Sequence, residues 1–308
     1  MALVPFRPAL PAPGLAAGLM LASTAFIAAT TLLAKALGTA TLGPPLHPLQ
    51  VAHGRFLFAF LGFAAAASLV RPAIGRPHWR LHVARTVCGF TGVSLLFAAA
   101  ARAPLSDATA ISFLNPVFAM LLAIPLLGER VGPWRWAAAA IALAGALVLL
   151  RPGGSTLAVG AFLALGAALA LGLEVIFLKR LSGLERPFQL LLVNNLIGLG
   201  IASAAVLAVW QVPTAAQWAA LIGVGLAMAV AQSCFLNAVA RADASFVAPF
   251  SYATLVWAAA YDAAVFGVLP DAVSWAGAAM ILGGAALLAW REAGRARRPH
   301  ARRGDPAN

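Results

Sequence analysis

The sequence predicts an all-α polytopic membrane protein, with ten transmembrane helices arranged as two inverted five-helix repeats. Three observations carry that prediction. The first is composition: 62% of the residues are apolar and 10% charged, whereas a soluble domain carries about 25% charged residues. The second is length: ten mostly apolar runs of about 18 residues or more each suffice to cross roughly 30 Å of hydrocarbon at about 1.5 Å per residue. The third is repetition. A short polar link leading into a proline-bearing run occurs at Ala100–Thr109 before Pro116, and again at Ala240–Ser245 before Pro249. Five runs separate the two copies, and an odd number makes the second enter the membrane from the opposite side.

The runs cover approximately 15–37, 49–69, 83–102, 105–127, 134–151, 156–179, 188–210, 216–239, 244–268 and 272–291. The clearest hairpin lies between Ser106 and Pro152, where Gly128-Glu129-Arg130-Val131-Gly132-Pro133 joins the fourth run to the fifth. A glycine ends one helix there, charges sit at the interface and a proline suits the opening turn of the next. Phe266-Gly267-Val268-Leu269-Pro270-Asp271 takes the same place near the C-terminus. The start, MALVPFRPALPAPG, is too rich in proline for a signal-peptide core, so the run after it reads as a retained first span. The division expected is an N-terminal tail over 1–14, a first repeat over 15–151, a second over 156–291 and a basic tail over 292–308. That tail is too polar to pack and reads as disordered against an anionic lipid surface.

Orientation follows from the basic residues. With the N-terminus inside, the inner segments hold Arg7, Arg71, Arg76, Arg80, Arg130, Arg135, Lys179, Arg180, Arg186, Arg241 and six arginines from Arg291 to Arg303. The outer segments hold Arg102 and Arg151, and Lys35, Arg55 and Arg85 fall within spans. This bias places both termini in the cytoplasm and the protein in the cell (inner) membrane. It also accounts for the formal charge of +12 without nucleic acid. Cys88 and Cys234 lie in apolar runs with no CxxC or Cys/His spacing, which reads as buried small side chains and not as a disulfide, metal or cofactor site.

These residues resemble the drug/metabolite transporter superfamily, and within it the EamA branch. The first-half string is Asp107-Ala108-Thr109-Ala110-Ile111-Ser112-Phe113-Leu114-Asn115-Pro116, followed by Leu127-Gly128-Glu129-Arg130-Val131-Gly132. The second-half string is Ala244-Ser245-Phe246-Val247-Ala248-Pro249-Phe250-Ser251-Tyr252, continuing through Leu255-Val256-Trp257-Ala258 to Phe266-Gly267. The second string is similar to the subgroup that contains S-adenosylmethionine and riboflavin uptake carriers; other members export amino acids and related metabolites. The resemblance implies secondary-active transport of a small polar or amphiphilic metabolite by alternating access, with inner gating at Glu129; Arg85 is a second gating candidate, from its own position near the inner face. One departure stands out, since the family often has Gly-Glu at the end of the ninth span and here Val268 follows Gly267.

Charges within spans are the most informative candidates, because burying an unpaired one costs at least several kcal/mol. Asp262 in the ninth run, beside Trp257 and Tyr261, is either a port for a cationic or ring-bearing cargo or half of a structural ion pair. Glu174 in the sixth run either binds a proton or cargo amine, or is neutralised by a neighbouring helix. Arg55 is expected to pair with Asp262 or Asp107, or to bind a cargo carboxylate. Arg85 reads most simply as an anchor at the inner face. Asn115, Gln232 and Tyr252 complete the substrate-binding set, against the plainer reading of interhelical hydrogen bonds. His78 and His82 stand four apart in a basic loop with no acid nearby in sequence.

Rival functions fit less well. A membrane-embedded enzyme needs converging nucleophiles, bases or metal ligands, and no HExxH-like pair occurs. A channel needs a filter-like ring. With no Walker-type Gly-Lys-Ser/Thr sequence, ATP is not the direct driver. The partners expected are a small-molecule metabolite and the lipid bilayer, with no nucleic acid and with a homodimer left open.

Overall fold

The computed structural model describes residues 12–72, 74–127, 132–150, 155–182, 184–241 and 248–296. Eleven α-helices and one 3₁₀ turn make up the described chain, with no strand. They are α1 (Pro13–Gly38), α2 (Pro48–Val70), α3 (Trp79–Ala100), α4 (Leu105–Ser112), α5 (Asn115–Leu127), α6 (Pro133–Leu150), α7 (Ser155–Ser182), α8 (Pro187–Val206) and α9 (Ala215–Val239). The 3₁₀ turn Ala248–Tyr252 then leads into α10 (Ala253–Phe266), and α11 (Ala272–Ala296) follows. The hinge residues Gly128 to Val131, Glu129 among them, lie outside the described residues, as do the two ends of the chain.

Local chemistry sets the boundaries. Proline opens α1, α2 and α8, where its missing N–H is no loss. Thr214 and Gln217 form a reciprocal capping box on α9, satisfying two otherwise orphaned donors. The fourth run is broken between α4 and α5, just before Pro116. Proline there has no N–H to donate back to Ser112 O, so the helical ladder lapses between the two helices. The ninth run behaves alike, since Pro249 sits in the 3₁₀ turn ahead of α10. At the far end of α10, Gly267 takes φ 66° and its N–H returns to Ala263 O, a left-handed stop that favours glycine. Asp271 accepts from the Ser274 N–H at 2.8 Å. It therefore caps α11, which is where the carboxylate three residues past the departing Val268 finds its use.

Among the described residues, seven segments are long and apolar enough to cross a membrane: α1, α2, α3, α4 with α5, α7, α8 and α9. Trp136–Leu149 in α6 and Ala272–Gly284 in α11 are shorter apolar stretches. Side chains such as Leu147, Phe162 and Leu207 are 64%, 62% and 80% exposed, which suits a lipid-facing surface and no aqueous one. The chain is thus a multi-pass, all-helical membrane protein.

The most extensive packing joins α1 to α9, α3 to α7 and α6 to α11, with α2 against both α8 and α9, α3 against α8, α5 against α7 and α1 against α10. In a bilayer such contacts rest on close approach of small residues. The α6–α11 crossing shows this directly. A Cβ on Gly145 would lie 2.7 Å from Gly277 O, and one on Gly277 would lie 2.9 Å from Gly145 O.

Candidate functional site

Three polar clusters are strung along the bundle. The middle one is built from α2, α3 and α7. Arg85 of α3 points Nε at Glu174 Oε1 of α7, 3.3 Å away, and its Nη1 donates to Leu190 O at 3.3 Å. Arg85 is 4% exposed, so the residue that the sequence favoured as an inner-face anchor is packed between helices. A Cβ on Gly89 would come within 2.9 Å of the Glu174 carboxylate, so glycine makes the room for the acid against α3. Nearby, Thr86 Oγ1 donates to Asn194 Oδ1 at 3.1 Å. The buried Asn195 donates to Leu191 O at 2.8 Å and reaches Gln232 Oε1 at 3.5 Å.

Arg55 completes this cluster. It is buried on α2, its guanidinium 4.5 Å above the Phe56 ring. Phe56 packs on Phe90 of α3, ring centroids 6.0 Å apart. The charges acting on Arg55 are the attractive Glu174 and the repulsive Arg85. Among the described residues, its Nε and Nη1 have no hydrogen-bond partner. The sequence offered Arg55 a pair with Asp262 or Asp107, or a cargo carboxylate. Among the described residues the structure gives it no ion pair: Glu174, the acid whose charge acts on it, is taken by Arg85, and Asp262 lies near the end of α10.

Asp262 belongs to the second cluster. Its Oδ1 takes the Lys35 ammonium of α1, and its Oδ2 accepts from the Leu105 N–H at 2.8 Å, at the start of α4. Lys35 also sits 4.6 Å over the Phe266 ring. Asp262 is 1% exposed, so one carboxylate ties three helices. Trp257 and Tyr261 stack on each other at 6.0 Å on the neighbouring face, and Tyr261 Oη reaches Ala25 O at 3.5 Å. Tyr252 meets Phe113 edge-on at 5.6 Å, joining the 3₁₀ turn to the break ahead of α5. Asn115 opens α5, and its carbonyl oxygen faces α7 at Gly172. The residues expected to form one binding set therefore fall into separate groups.

The third cluster lies at the other end of the bundle, since His78 precedes α3 and Leu105 follows it, and 22 residues of helix span about 33 Å. Glu185, between α7 and α8, accepts from the His78 N–H at 2.7 Å and contacts His78 Nδ1 and His82 Nε2 at 2.9 Å each. Gln189 Nε2 donates to Glu185 Oε2 at 2.6 Å, and Gln189 Oε1 accepts from the Gly75 N–H at 2.7 Å. Burial pushes the Glu185 carboxyl up, but the hydrogen bonds from His82 and His78 outweigh it and hold it at about 2. The sequence showed no acid near these histidines because Glu185 is 103 residues from His82.

A surface cavity of about 360 Å³, lined by His47, Arg102 and Gln211 among others, opens at the Leu105 end; none of the expected binding residues line it. Among the described residues, no three His, Cys, Asp or Glu side chains gather as metal ligands.

Comparison with known proteins points one way. Residues 14–151 and 158–290 each match the EamA-like transporter family. A riboflavin transporter of Rhizobium johnstonii is 34% identical over 256 residues, which cover 81% of this chain and 83% of that one. An S-adenosylmethionine uptake transporter of Rickettsia bellii is 25% identical over 244 residues, 78% and 82% of the two chains. A solved crystal structure superposes with a TM-score of 0.61 at 22% identity, covering 88% of this chain and 96% of that one, a likeness of fold.

Proposed function

The chain belongs to the EamA-like transporter family and is a membrane transporter of a small metabolite; on that premise we propose that it works by alternating access between two inverted five-helix halves, without nucleotide. The observation that carries this reading is the placement of the three polar clusters. Each joins the first half of the chain to the second: Lys35 and Leu105 to Asp262, Arg85 to Glu174, His78 and His82 to Glu185. Two of them close opposite ends of the bundle and the third lies between. A carrier needs this layout, because one end must open while the other stays shut around a site near the midplane. In this cycle the Lys35–Asp262 tie and the His78–Glu185–His82 tie break in alternation. Arg55, Arg85 and Glu174, with Asn194, Asn195 and Gln232 alongside, meet the cargo between them.

The packing supports the inverted repeat. Exchanging first-half spans for second-half spans turns the α1–α9 contact into α7–α3, α2–α9 into α8–α3, and α1–α10 into α7–α5; α2–α8 and α6–α11 map onto themselves. The basic residues support cytoplasmic termini in the inner membrane. The names of the relatives make riboflavin and S-adenosylmethionine the first cargoes to try, in the direction of uptake. The test is uptake of each labelled compound into proteoliposomes without nucleotide. Unlabelled cargo trapped inside should accelerate entry of the label. A flux that is never accelerated from the far side would reject alternating access in favour of a pore.

A further inference from the structure

The middle cluster carries one formal positive charge more than negative, two guanidinium groups against a single carboxylate. Arg85 and Glu174 meet each other. Arg55 is left over: it is 6% exposed, and its Nε and Nη1 lack partners among the described residues. An arginine side chain in a protein does not escape burial by losing its proton. Guanidinium donors sit in a fixed planar fork, Nε–H on one edge and Nη1 on the other, each a site for an acceptor oxygen. Phe56 and Phe90 beside it provide apolar faces. We infer that the unpartnered Nε and Nη1 donors of Arg55 anchor the cargo, and that the cargo presents acceptor oxygens to them, either those of a carboxylate or the carbonyls of a ring dione. This rests on the transporter reading above and adds to it the class of chemical group recognised.

A residue kept for its ligand at the expense of the fold leaves a distinctive trace. Arg55→Gln removes a buried charge that has no full partner, so purified Arg55→Gln should melt at or above the wild-type temperature while uptake falls at least tenfold. Arg55→Lys keeps the charge but not the fork, and should lose uptake to a similar degree. Binding is read separately as a ligand-induced rise in melting temperature of the purified protein. The probes are lumazine, a fused-ring dione, against 2,4-diaminopteridine, which has donors at those positions, and S-adenosylmethionine against its decarboxylated form. The inference expects wild type to be stabilised by at least one acceptor-edged member and by neither blocked one, with the response absent in Arg55→Gln. Which pair responds tells dione from carboxylate. A fall in melting temperature on Arg55→Gln with uptake preserved would make Arg55 structural and overturn the inference. So would an equal response to acceptor-edged and blocked probes, or no response to either pair. A wild type that binds but moves nothing would refute transport and leave the anchoring intact.

Discussion

Replacing Asp262 by asparagine tests whether this carboxylate holds the bundle together or receives cargo. In the native protein both carboxylate oxygens are engaged, one by Lys35 and the other by the Leu105 N–H. Asparagine keeps an acceptor for the amide but strands the ammonium, whose side chain is 10% exposed against 1% for Asp262. Removing one partner of a buried pair costs about 3–5 kcal/mol. At roughly 2 °C per kcal/mol for a long chain, melting should fall by about 6–10 °C. Fluorescence-monitored melting in detergent reads this directly. The second substitution should be Lys35→Met, since a buried pair replaced by apolar side chains is often neutral; the double variant should regain most of the loss, whereas Arg55→Gln added to Asp262→Asn should not. An Asp262→Asn protein melting within 2 °C of wild type but losing transport would refute this reasoning and return Asp262 to the cargo site.

Other expectations follow from the same geometry. Gly89→Ala puts a methyl about 2.9 Å from the Glu174 carboxylate; it should cut uptake about tenfold at an overpacking cost of roughly 1–3 kcal/mol, and normal flux would dissociate Glu174 from transport. Glu185 has its carboxyl lowered from 4.5 to about 2, so its contribution to stability is complete above pH 4.5 and is lost as pH falls toward 2. Melting curves should accordingly show wild type above Glu185→Gln at neutral pH and the two converging in acid. Gly145→Leu should force α6 from α11 and lower yield and melting temperature together, while an exposed change such as Phe162→Leu should do neither. A reporter fused after Asn308 should read cytoplasmic and one inserted at 211–214 should read outside; the reverse would overturn the orientation.

The architecture was legible because hydrocarbon imposes it. Apolar runs, their lengths and the proline punctuation at Pro116 and Pro249 are local properties, and the structure places breaks where those prolines stand. Arg55, Arg85 and Glu174 were legible one by one, since any charge in a span asks for an explanation. Their partnership was not. Lys35 was visible as an intraspan cation but lies 227 residues from Asp262, and no spacing rule reaches across seven intervening spans. Glu185 was hidden altogether, being a loop acid whose importance depends on two histidines a hundred residues earlier. Asn194 differs again: it sits in an apolar run, and only the approach of α8 to α3 makes Thr86 its partner.

The three clusters share a polarity. In every one the cationic or imidazole side chains come from the first half of the chain, Lys35, Arg55, Arg85, His78 and His82, and the carboxylates come from the second, Asp262, Glu174 and Glu185. Two halves of like architecture would otherwise be able to mate with themselves. A first half facing another first half would bring lysine and arginine against one another in hydrocarbon; a second half facing its own copy would oppose two unpaired acids. Like charges so placed cost several kcal/mol per contact, and specificity between rival pairings is a difference of such costs. The division of charge thus favours contact between a first half and a second half over contact between two copies of either.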